Sequence, residues 1–202
     1  MPEDPSRPEF WNTRYEKCRT PWDAGAVPPA LLRYLETHPG RGESVLLPGC
    51  GSGYEFEAFA NAGYRVTAVD FSAPAVARAR DRLPVEWSEH VIEGDFFSYD
   101  FPRAPFDLIY ERTFLCALPP DLWPKIVQRT AELLVPGGIL AGIYFFGEKE
   151  DGPPFGLAPG EDAQLFAANF VTVANAPIPA TDSLPMFAGK ERWQERRRRE
   201  DA

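Results

Sequence analysis

Short apolar segments alternate with segments of helical periodicity along most of the chain. The apolar segments show little polar alternation, which is typical of strands covered on both faces of a sheet. In the segments between them, apolar residues recur three and four positions apart, as on one face of a helix. The predicted strands are 44–50, 64–71, 90–97, 106–115 and 139–146, and the predicted helices are 54–63, 72–83 and 119–138. Strands that alternate with helices predict an α/β fold with a parallel sheet.

Capping residues mark the ends of two of these helices, and both flanks of the alternating region have a different pattern. Gly63 is predicted to end helix 54–63, and Ser72 is the predicted N-cap of the next helix, with Pro74 in its first turn. The flanks are predicted to contain a helix at 8–17, a loop and helix at 20–38, a proline- and glycine-rich loop at 151–160, a short helix at 161–169, and strands at 170–178 and 189–197.

Composition and charge narrow the class of protein. The chain has 202 residues, 44% of them hydrophobic and 25% charged, as expected for one soluble globular domain. The net charge of −9 disfavours nucleic acid and anionic membranes as partners, since phosphate binding needs a basic surface. No run is apolar enough to cross a membrane or to serve as a signal peptide, and three scattered cysteines do not suggest disulfides. With two histidines and no CxxC pair, a zinc site is disfavoured. We therefore predict a cytoplasmic protein.

One basic run near the C-terminus, RWQERRRRED, departs from the acidic balance of the chain. Such a run could bind nucleic acid. Acidic residues interrupt it, however, so we favour a solvated strand or an edge strand with charges on its outer face.

The clearest chemical signal is the glycine-rich turn GCGSG at 49–53, followed by the acid Asp70 at the end of the next predicted strand. Alternate glycines let the backbone turn tightly and approach a ligand, and the next helix directs its N-terminus toward that ligand. A dinucleotide fingerprint would place its third glycine at position 54, which is Tyr54 here. The shorter spacing favours S-adenosylmethionine and disfavours a nicotinamide-dependent oxidoreductase. Asp70 stands where a carboxylate binds ribose hydroxyls.

The segment EGDFF closes the third predicted strand. Asp95 could accept a hydrogen bond from an adenine amino group, and Phe96 could stack on the ring. The alternative interpretation is a polar strand end followed by aromatic residues of the core.

These motifs together resemble the thiopurine S-methyltransferase family, which also contains thiol and halide methyltransferases. The resemblance runs from about Phe10 to Trp193, through FWNTRYEK, TPWDAG, LLPGCGSGYE, VTAVDFS, GDFF, FDLIYERTFLCALPP, LLVPGGIL and GPPF. It implies a three-layer, Rossmann-like class I methyltransferase fold with a seven-stranded, mostly parallel sheet, an antiparallel last strand and an N-terminal helical cap. It also implies S-adenosylmethionine as cofactor, S-adenosylhomocysteine as product, and a small soft nucleophile as acceptor.

The resemblance assigns roles by position. The cofactor-binding residues it implies are Trp11, Trp22, Leu47, Gly49, Gly51, Asp70, Phe71, Asp95, Phe96 and Glu111. The catalytic residues it implies are Tyr110, Glu111 and Arg112, and the acceptor-binding residues are Phe10, Arg112, Thr113 and Phe155. Many family members carry aspartate at the position of Glu111. The domain is then expected to span 1–202, with a cap at 1–43, a cofactor-binding core at 44–146, and an acceptor loop with C-terminal strands at 147–202.

Several alternatives stay open at this point. Trp11 and Trp22 could instead anchor the cap in the core, and Arg112 could pair with Glu111 or another acid rather than favour a thiolate. A thiol is the expected acceptor, while halide, thiocyanate, selenium and tellurite remain alternatives. A non-catalytic module that binds S-adenosylmethionine or S-adenosylhomocysteine would share the same motifs. We expect a monomer acting on a small molecule.

Overall fold

The computed structural model describes residues 3–147, 152–187 and 189–200. These residues form seven strands and seven α-helices. The helices are α1 (Pro8–Glu16), α2 (Pro29–Thr37), α3 (Tyr54–Asn61), α4 (Ala73–Arg82), α5 (Val85–Ser88), α6 (Trp123–Leu133) and α7 (Glu161–Phe166). The strands are β1 (Ser44–Pro48), β2 (Arg65–Asp70), β3 (Val91–Glu93), β4 (Phe106–Arg112), β5 (Leu134–Phe145), β6 (Phe170–Pro177) and β7 (Glu191–Arg198). Residue 151, at the start of the predicted loop, lies outside the described residues.

The strands form one sheet in the order β3-β2-β1-β4-β5-β7-β6. Strands β1 and β2, β2 and β3, and β4 and β5 pair in parallel, whereas β7 runs antiparallel to both β5 and β6. This arrangement confirms the predicted seven-stranded, mostly parallel α/β fold with a reversed last strand.

The chain divides into two compact units, residues 1–100 and 101–202. In the first unit every residue of β1 is buried, α3 and α4 pack against β2, and α1 packs against α4. In the second unit β5 lies between β4 and β7, and α6 packs against β5. The predicted single domain with its three segments stays a prediction.

Three predicted boundaries are corrected by local backbone chemistry. The helix predicted to reach residue 138 ends at Leu133, because Pro136 disfavours helix before it and Leu134 already pairs with Phe106. Strand β4 stops at Arg112, three residues before the predicted end at 115. Strand β3 is three residues long, since the backbone turns immediately after Glu93. The short helix α5 was not predicted.

The basic run forms most of β7, and here the edge-strand interpretation is wrong. Strand β7 is bonded to β5 on one side and β6 on the other, so β6 is the edge strand. The Arg196 side chain is fully buried, where it pairs with Asp162 and lies over the ring of Phe166. A buried acid and an aromatic face thus accommodate a charge that the sequence pattern placed in solvent. No helix within the described residues is long and apolar enough to span a membrane.

Candidate cofactor and acceptor sites

The glycine turn follows directly from β1. Gly49, Gly51 and Gly53 have φ values of 58°, 52° and 71°, a left-handed region that side chains with a Cβ rarely adopt. A Cβ on Gly51 would also lie 2.7 Å from the hydroxyl oxygen of Tyr15. Both the backbone conformation and the close approach of Tyr15 therefore require glycine at position 51.

Asp70 ends β2 and fastens this turn. Its Oδ2 accepts a hydrogen bond from the Gly51 N–H at 3.0 Å, and its Oδ1 accepts one from the Ser72 N–H at 2.9 Å. Burial raises the pKa of Asp70 to about 6, against the lowering effect of these backbone donors. Because a carboxylate can accept about four hydrogen bonds, the group retains acceptor capacity for a ribose hydroxyl.

Ser72 is the N-cap residue of α4, as predicted, although its hydroxyl makes no capping hydrogen bond. Its backbone N–H binds Asp70 instead, in the local turn that aspartate side chains favour. The Ser72 hydroxyl is buried without a hydrogen-bond partner among the described residues. A polar atom is thus available beside the carboxylate.

An aromatic cluster from the first 22 residues adjoins the turn. Trp11 is buried, donates from Nε1 to the Pro5 carbonyl at 2.7 Å, and contacts the Trp22 ring edge-on at 5.2 Å. Phe10 is also buried and packs against Trp11 at 5.0 Å. Trp22 is only half-buried, with its Nε1 directed to the Tyr15 hydroxyl at 3.4 Å. Phe10 and Trp11 therefore anchor the first segment in the core, and Trp22 keeps accessible ring surface.

Two polar residues of this region were not predicted. Ser52, inside the glycine turn, donates from its hydroxyl to Oδ2 of Asp23 at 2.6 Å. The same Asp23 oxygen lies 3.9 Å from the Arg78 guanidinium of α4. These contacts fix the segment that carries Trp22 to the turn. The only signal in the sequence was an acid adjacent to Trp22 and a serine between the glycines.

The end of β3 is organised by Asp95 itself. The exposed carboxylate accepts from the Phe97 N–H at 3.0 Å and from the Ser98 hydroxyl at 3.1 Å. Phe96 is buried and Phe97 half-buried, and their rings meet edge-on at 5.6 Å. The adenine contacts assigned to Asp95 and Phe96 stay predictions.

Two further predicted cofactor residues also lie in this unit. Leu47 is buried within β1, and Phe71 is half-buried directly after Asp70. Their contacts with a cofactor stay predictions as well.

In the second unit, Glu111 organises the turn after β4. Its Oε1 accepts two hydrogen bonds, from the Phe114 N–H at 2.8 Å and the Leu115 N–H at 3.0 Å. Its Oε2 is buried and has no hydrogen-bond partner among the described residues. Burial raises the pKa of Glu111 to about 7, against the lowering effect of the two N–H groups. The carboxyl group therefore holds a proton more readily than an exposed glutamate does.

Thr113 sits inside this turn with a φ of 56°. A β-branched residue rarely adopts that conformation, and its presence indicates local strain. The two bonds from the turn to Glu111 hold the strained backbone in place, and the Thr113 hydroxyl donates to the Arg112 carbonyl at 2.7 Å.

Arg112 forms an ion pair with Glu191 of β7, with 2.6 Å between its NH1 and Oε1. Oε2 of Glu191 accepts from the Ser183 hydroxyl at 2.5 Å and from the Leu184 N–H at 3.1 Å. The sequence left open whether Arg112 pairs with an acid, and the structure identifies Glu191 rather than Glu111 as the partner. Glu191 lies 79 residues further along the chain, and nothing in the sequence pattern marked it.

A small cavity adjoins Glu111. It is lined by Glu111, Leu115, Cys116, Ile143, Tyr144, Phe145, Phe155 and Leu157. The Phe155 N–H donates to the Cys116 carbonyl at 2.7 Å, which fixes the loop carrying Phe155 to the turn after β4. Tyr110 is buried away from this lining and packs on Trp193 with ring centroids 6.2 Å apart. Of the predicted acceptor-side residues, Glu111 and Phe155 line the cavity together.

Comparisons with known proteins show which protein family the chain resembles. The sequence profile of thiopurine S-methyltransferase (TPMT) matches residues 6–199. A probable thiol methyltransferase 2 of Arabidopsis thaliana is 36% identical, covering 75% of this chain and 68% of that protein. A thiopurine S-methyltransferase of Vibrio atlanticus is 30% identical, covering 92% of each chain. Thiocyanate methyltransferase 1 of Arabidopsis thaliana is 29% identical, covering 91% of this chain and 83% of that protein.

Among solved structures, the 1,6-didemethyltoxoflavin-N1-methyltransferase of Burkholderia thailandensis superposes with a TM-score of 0.77. It shares 24% of residues, covering 95% of this chain and 87% of that one. This likeness supports the class I methyltransferase fold.

The fold and the glycine turn with its acid define a methyltransferase of the S-adenosylmethionine-dependent class. The chain belongs to the thiopurine S-methyltransferase family, so the predicted family, enzyme class and cofactor are confirmed. The residues fit that cofactor, because Asp70 retains acceptor capacity for ribose hydroxyls and the buried Ser72 hydroxyl beside it has no hydrogen-bond partner among the described residues.

Proposed function

We propose that the enzyme methylates a small neutral thiol, and that Glu111 takes the proton from the thiol. The observation that carries the proposal is the unpartnered Oε2 of Glu111, in a carboxyl group that lines an otherwise largely apolar cavity. A thiol has one S–H donor and an apolar remainder, and it therefore matches both features of the cavity.

The charges of the second unit favour a neutral acceptor over an anionic one. An anion such as iodide or thiocyanate beside Glu111 would be repelled whenever the carboxyl group is ionised. Arg112 follows Glu111 directly in β4, so its side chain points to the opposite face of the sheet, where it pairs with Glu191. Glu111, rather than the positive charge of Arg112, is therefore the group that activates the thiol in this proposal. The acceptor-binding role of Arg112 stays a prediction.

The relatives support sulfur as the attacking atom. Their names include a thiol methyltransferase, a thiopurine S-methyltransferase and a thiocyanate methyltransferase. All three names describe acceptors that carry soft sulfur. Such a nucleophile loses its hydration shell more easily than oxygen or nitrogen, which suits an apolar cavity.

The residues of this chain then have separate tasks. S-adenosylmethionine supplies a methyl group on a positively charged sulfur when it is bound. Asp70 would hold the ribose of the bound cofactor, and Trp22 would cover the cofactor surface next to it. Phe155 and its apolar neighbours exclude water from the thiol, and Oε2 of Glu111 receives the S–H proton as the sulfur becomes nucleophilic. A positioned base of this kind contributes about 10²–10⁴-fold to a rate.

The test is S-adenosylhomocysteine formation by the purified protein with a series of aliphatic and aromatic thiols of different pKa, together with iodide and thiocyanate. Glu111→Gln should lower kcat/KM about 100-fold for aliphatic thiols, which are mostly protonated at pH 7. The loss should shrink as the thiol pKa falls, because an acidic thiol needs no base.

Glu132→Gln, at an exposed position of α6, is the matched control and should leave all rates unchanged. An equal loss in Glu111→Gln for every thiol would overturn the role of Glu111 as base. Efficient turnover of iodide or thiocyanate with none of thiols would overturn the thiol assignment. The cytoplasmic location and the monomeric state stay predictions.

A further inference from the structure

Arg196 is a fully buried arginine that the proposed reaction does not use. Its NH2 group lies 3.3 Å from Oδ2 of Asp162 and donates to Oε1 of Gln194 at 2.5 Å. Its Nε and NH1 groups are buried with no hydrogen-bond partner among the described residues. A guanidinium carries five N–H donors, and leaving several of them unbonded in the interior is costly. The rings of Tyr144 and Phe166 lie against the guanidinium and hold it in place beside Asp162.

The register of the sheet places Arg196 on the same face as Glu111. Glu111 pairs with Gly142 of β5, and Gly142 pairs with Gln194 of β7. Alternate residues of a strand point to one face, so Arg196 projects to the side of Gln194 and Glu111. Because Gly142 has no side chain, no β5 side chain stands between them at that position. A Cβ on Gly142 would lie 2.8 Å from the Cβ of Glu111.

Tyr144 lies on this face of β5 as well. The Arg196 guanidinium is centred 4.7 Å from the Tyr144 ring, and Tyr144 lines the cavity together with Glu111. An apolar and aromatic surrounding of this kind screens charge weakly, so a cation here acts on Glu111 over a longer distance than it would in water.

We propose that Arg196 is a positioning residue for the methyl transfer, whose buried cation, held by Asp162 and Gln194, favours the ionised form of Glu111 that accepts the thiol proton. The inference rests on the proposed function of Glu111. It adds a second requirement for the reaction, which is a fixed charge two strands away from the base.

The charged and titratable groups around Glu111 come from every neighbouring element. Arg112 of β4 is balanced by Glu191, whereas Cys116 of the following turn and Tyr144 are buried and carry no charge at neutral pH. Arg196 of β7 is balanced in turn by Asp162 of α7. Both guanidinium groups lower the pKa of Glu111 against the larger raising effect of burial. Opposite shifts are therefore expected from removing Arg196 and from removing its counter-ion.

The experiment measures the pH dependence of kcat/KM for an aliphatic thiol in the full-length protein, and the Glu111 pKa directly by carbon NMR of labelled glutamate. The Glu111→Gln variant identifies the Glu111 signal. Arg196→Met should move both midpoints upward by at least about half a pH unit, and Asp162→Asn should move both downward. Arg196→Lys keeps the charge and should restore the wild-type midpoint.

A second variant guards against misfolding. Arg196→Met leaves Asp162 buried without its cation, so Arg196→Met/Asp162→Asn, which replaces the whole ion pair, is measured alongside and should show a smaller upward shift. An unchanged Glu111 midpoint in folded Arg196→Met would overturn the inference. If Glu111→Gln instead retained full thiol activity, the proposed function would fail, whereas the NMR titration would still report separately on Arg196.

Discussion

Asp70 and Glu111 are both buried carboxylates, one in each compact unit, and both accept hydrogen bonds from backbone N–H groups. They differ in how their oxygens are used. In Asp70 each oxygen accepts one of these hydrogen bonds, Oδ2 from the Gly51 N–H and Oδ1 from the Ser72 N–H. Glu111 gives both donors the same oxygen and leaves Oε2 without a partner.

This difference in hydrogen bonding suits Asp70 to ligand binding and Glu111 to proton transfer. With an N–H on each oxygen, Asp70 is suited to remain ionised and to accept further hydroxyl donors. Glu111 keeps one desolvated oxygen, and burial raises its pKa to about 7, compared with about 6 for Asp70. The same side-chain chemistry thus gives a candidate cofactor anchor in one unit and a candidate base in the other.

The largest expected effect is on cofactor affinity. Asp70→Ala should weaken S-adenosylmethionine binding several hundred-fold, because two hydrogen bonds to a charged group contribute about 3–4 kcal/mol together. Titration calorimetry measures the affinity, with the exposed Asp81→Ala of α4 as control. A change of less than threefold would remove Asp70 from the cofactor site.

Glu111→Gln should change the pH dependence of stability. Because the folded pKa is raised from 4.5 to about 7, the native state holds the proton more tightly, so wild-type stability is full below pH 4.5 and falls as the pH rises to about 7. The variant should therefore gain about 3 kcal/mol relative to wild type between pH 4 and pH 8. Urea unfolding at both values measures this difference. A constant difference between the two proteins at both pH values would show that Glu111 titrates normally.

The pH dependence of cofactor binding should be smaller. Below a pKa of about 6, Asp70 takes up a proton and loses an acceptor, so affinity for S-adenosylmethionine should fall about tenfold between pH 7 and pH 5. Asp70→Asn should bind more weakly at pH 7 but lack this dependence. If the variant showed the same slope as wild type, another group would be responsible.

The smallest effect is expected at the link between Ser52 and Asp23. Ser52→Ala should cost about 1 kcal/mol of unfolding free energy, because it removes a partly buried hydrogen bond of 2.6 Å. Ser98→Ala removes an exposed hydroxyl-to-carboxylate bond of 3.1 Å and is the matched control. Thermal unfolding of both variants should show the larger loss in Ser52→Ala, and equal losses would mean that this link adds nothing specific.

The alternating α/β order, the glycine turn and the position of Asp70 could be predicted from the residues alone. These features depend on contacts between neighbouring segments. A continuous apolar run favours a buried strand, and glycine tolerates a positive φ. Strands β1 and β2 are parallel neighbours, so the acid at the end of β2 lies beside the turn after β1. Family membership followed from the same local motifs.

The strand and ion-pair partners within the second unit depend instead on the three-dimensional arrangement of the chain. Local pattern gave no sign that Arg112 pairs with Glu191, that β7 is an inner strand, or that a buried Arg196 shares a sheet face with Glu111. These pairings join residues about 80 positions apart, and they depend on strand register and on the side-chain gap at Gly142. The residue types set which charged groups are present, whereas burial and strand register set which of them are in contact. These contacts suit one carboxyl group to binding a ligand and another to accepting a proton.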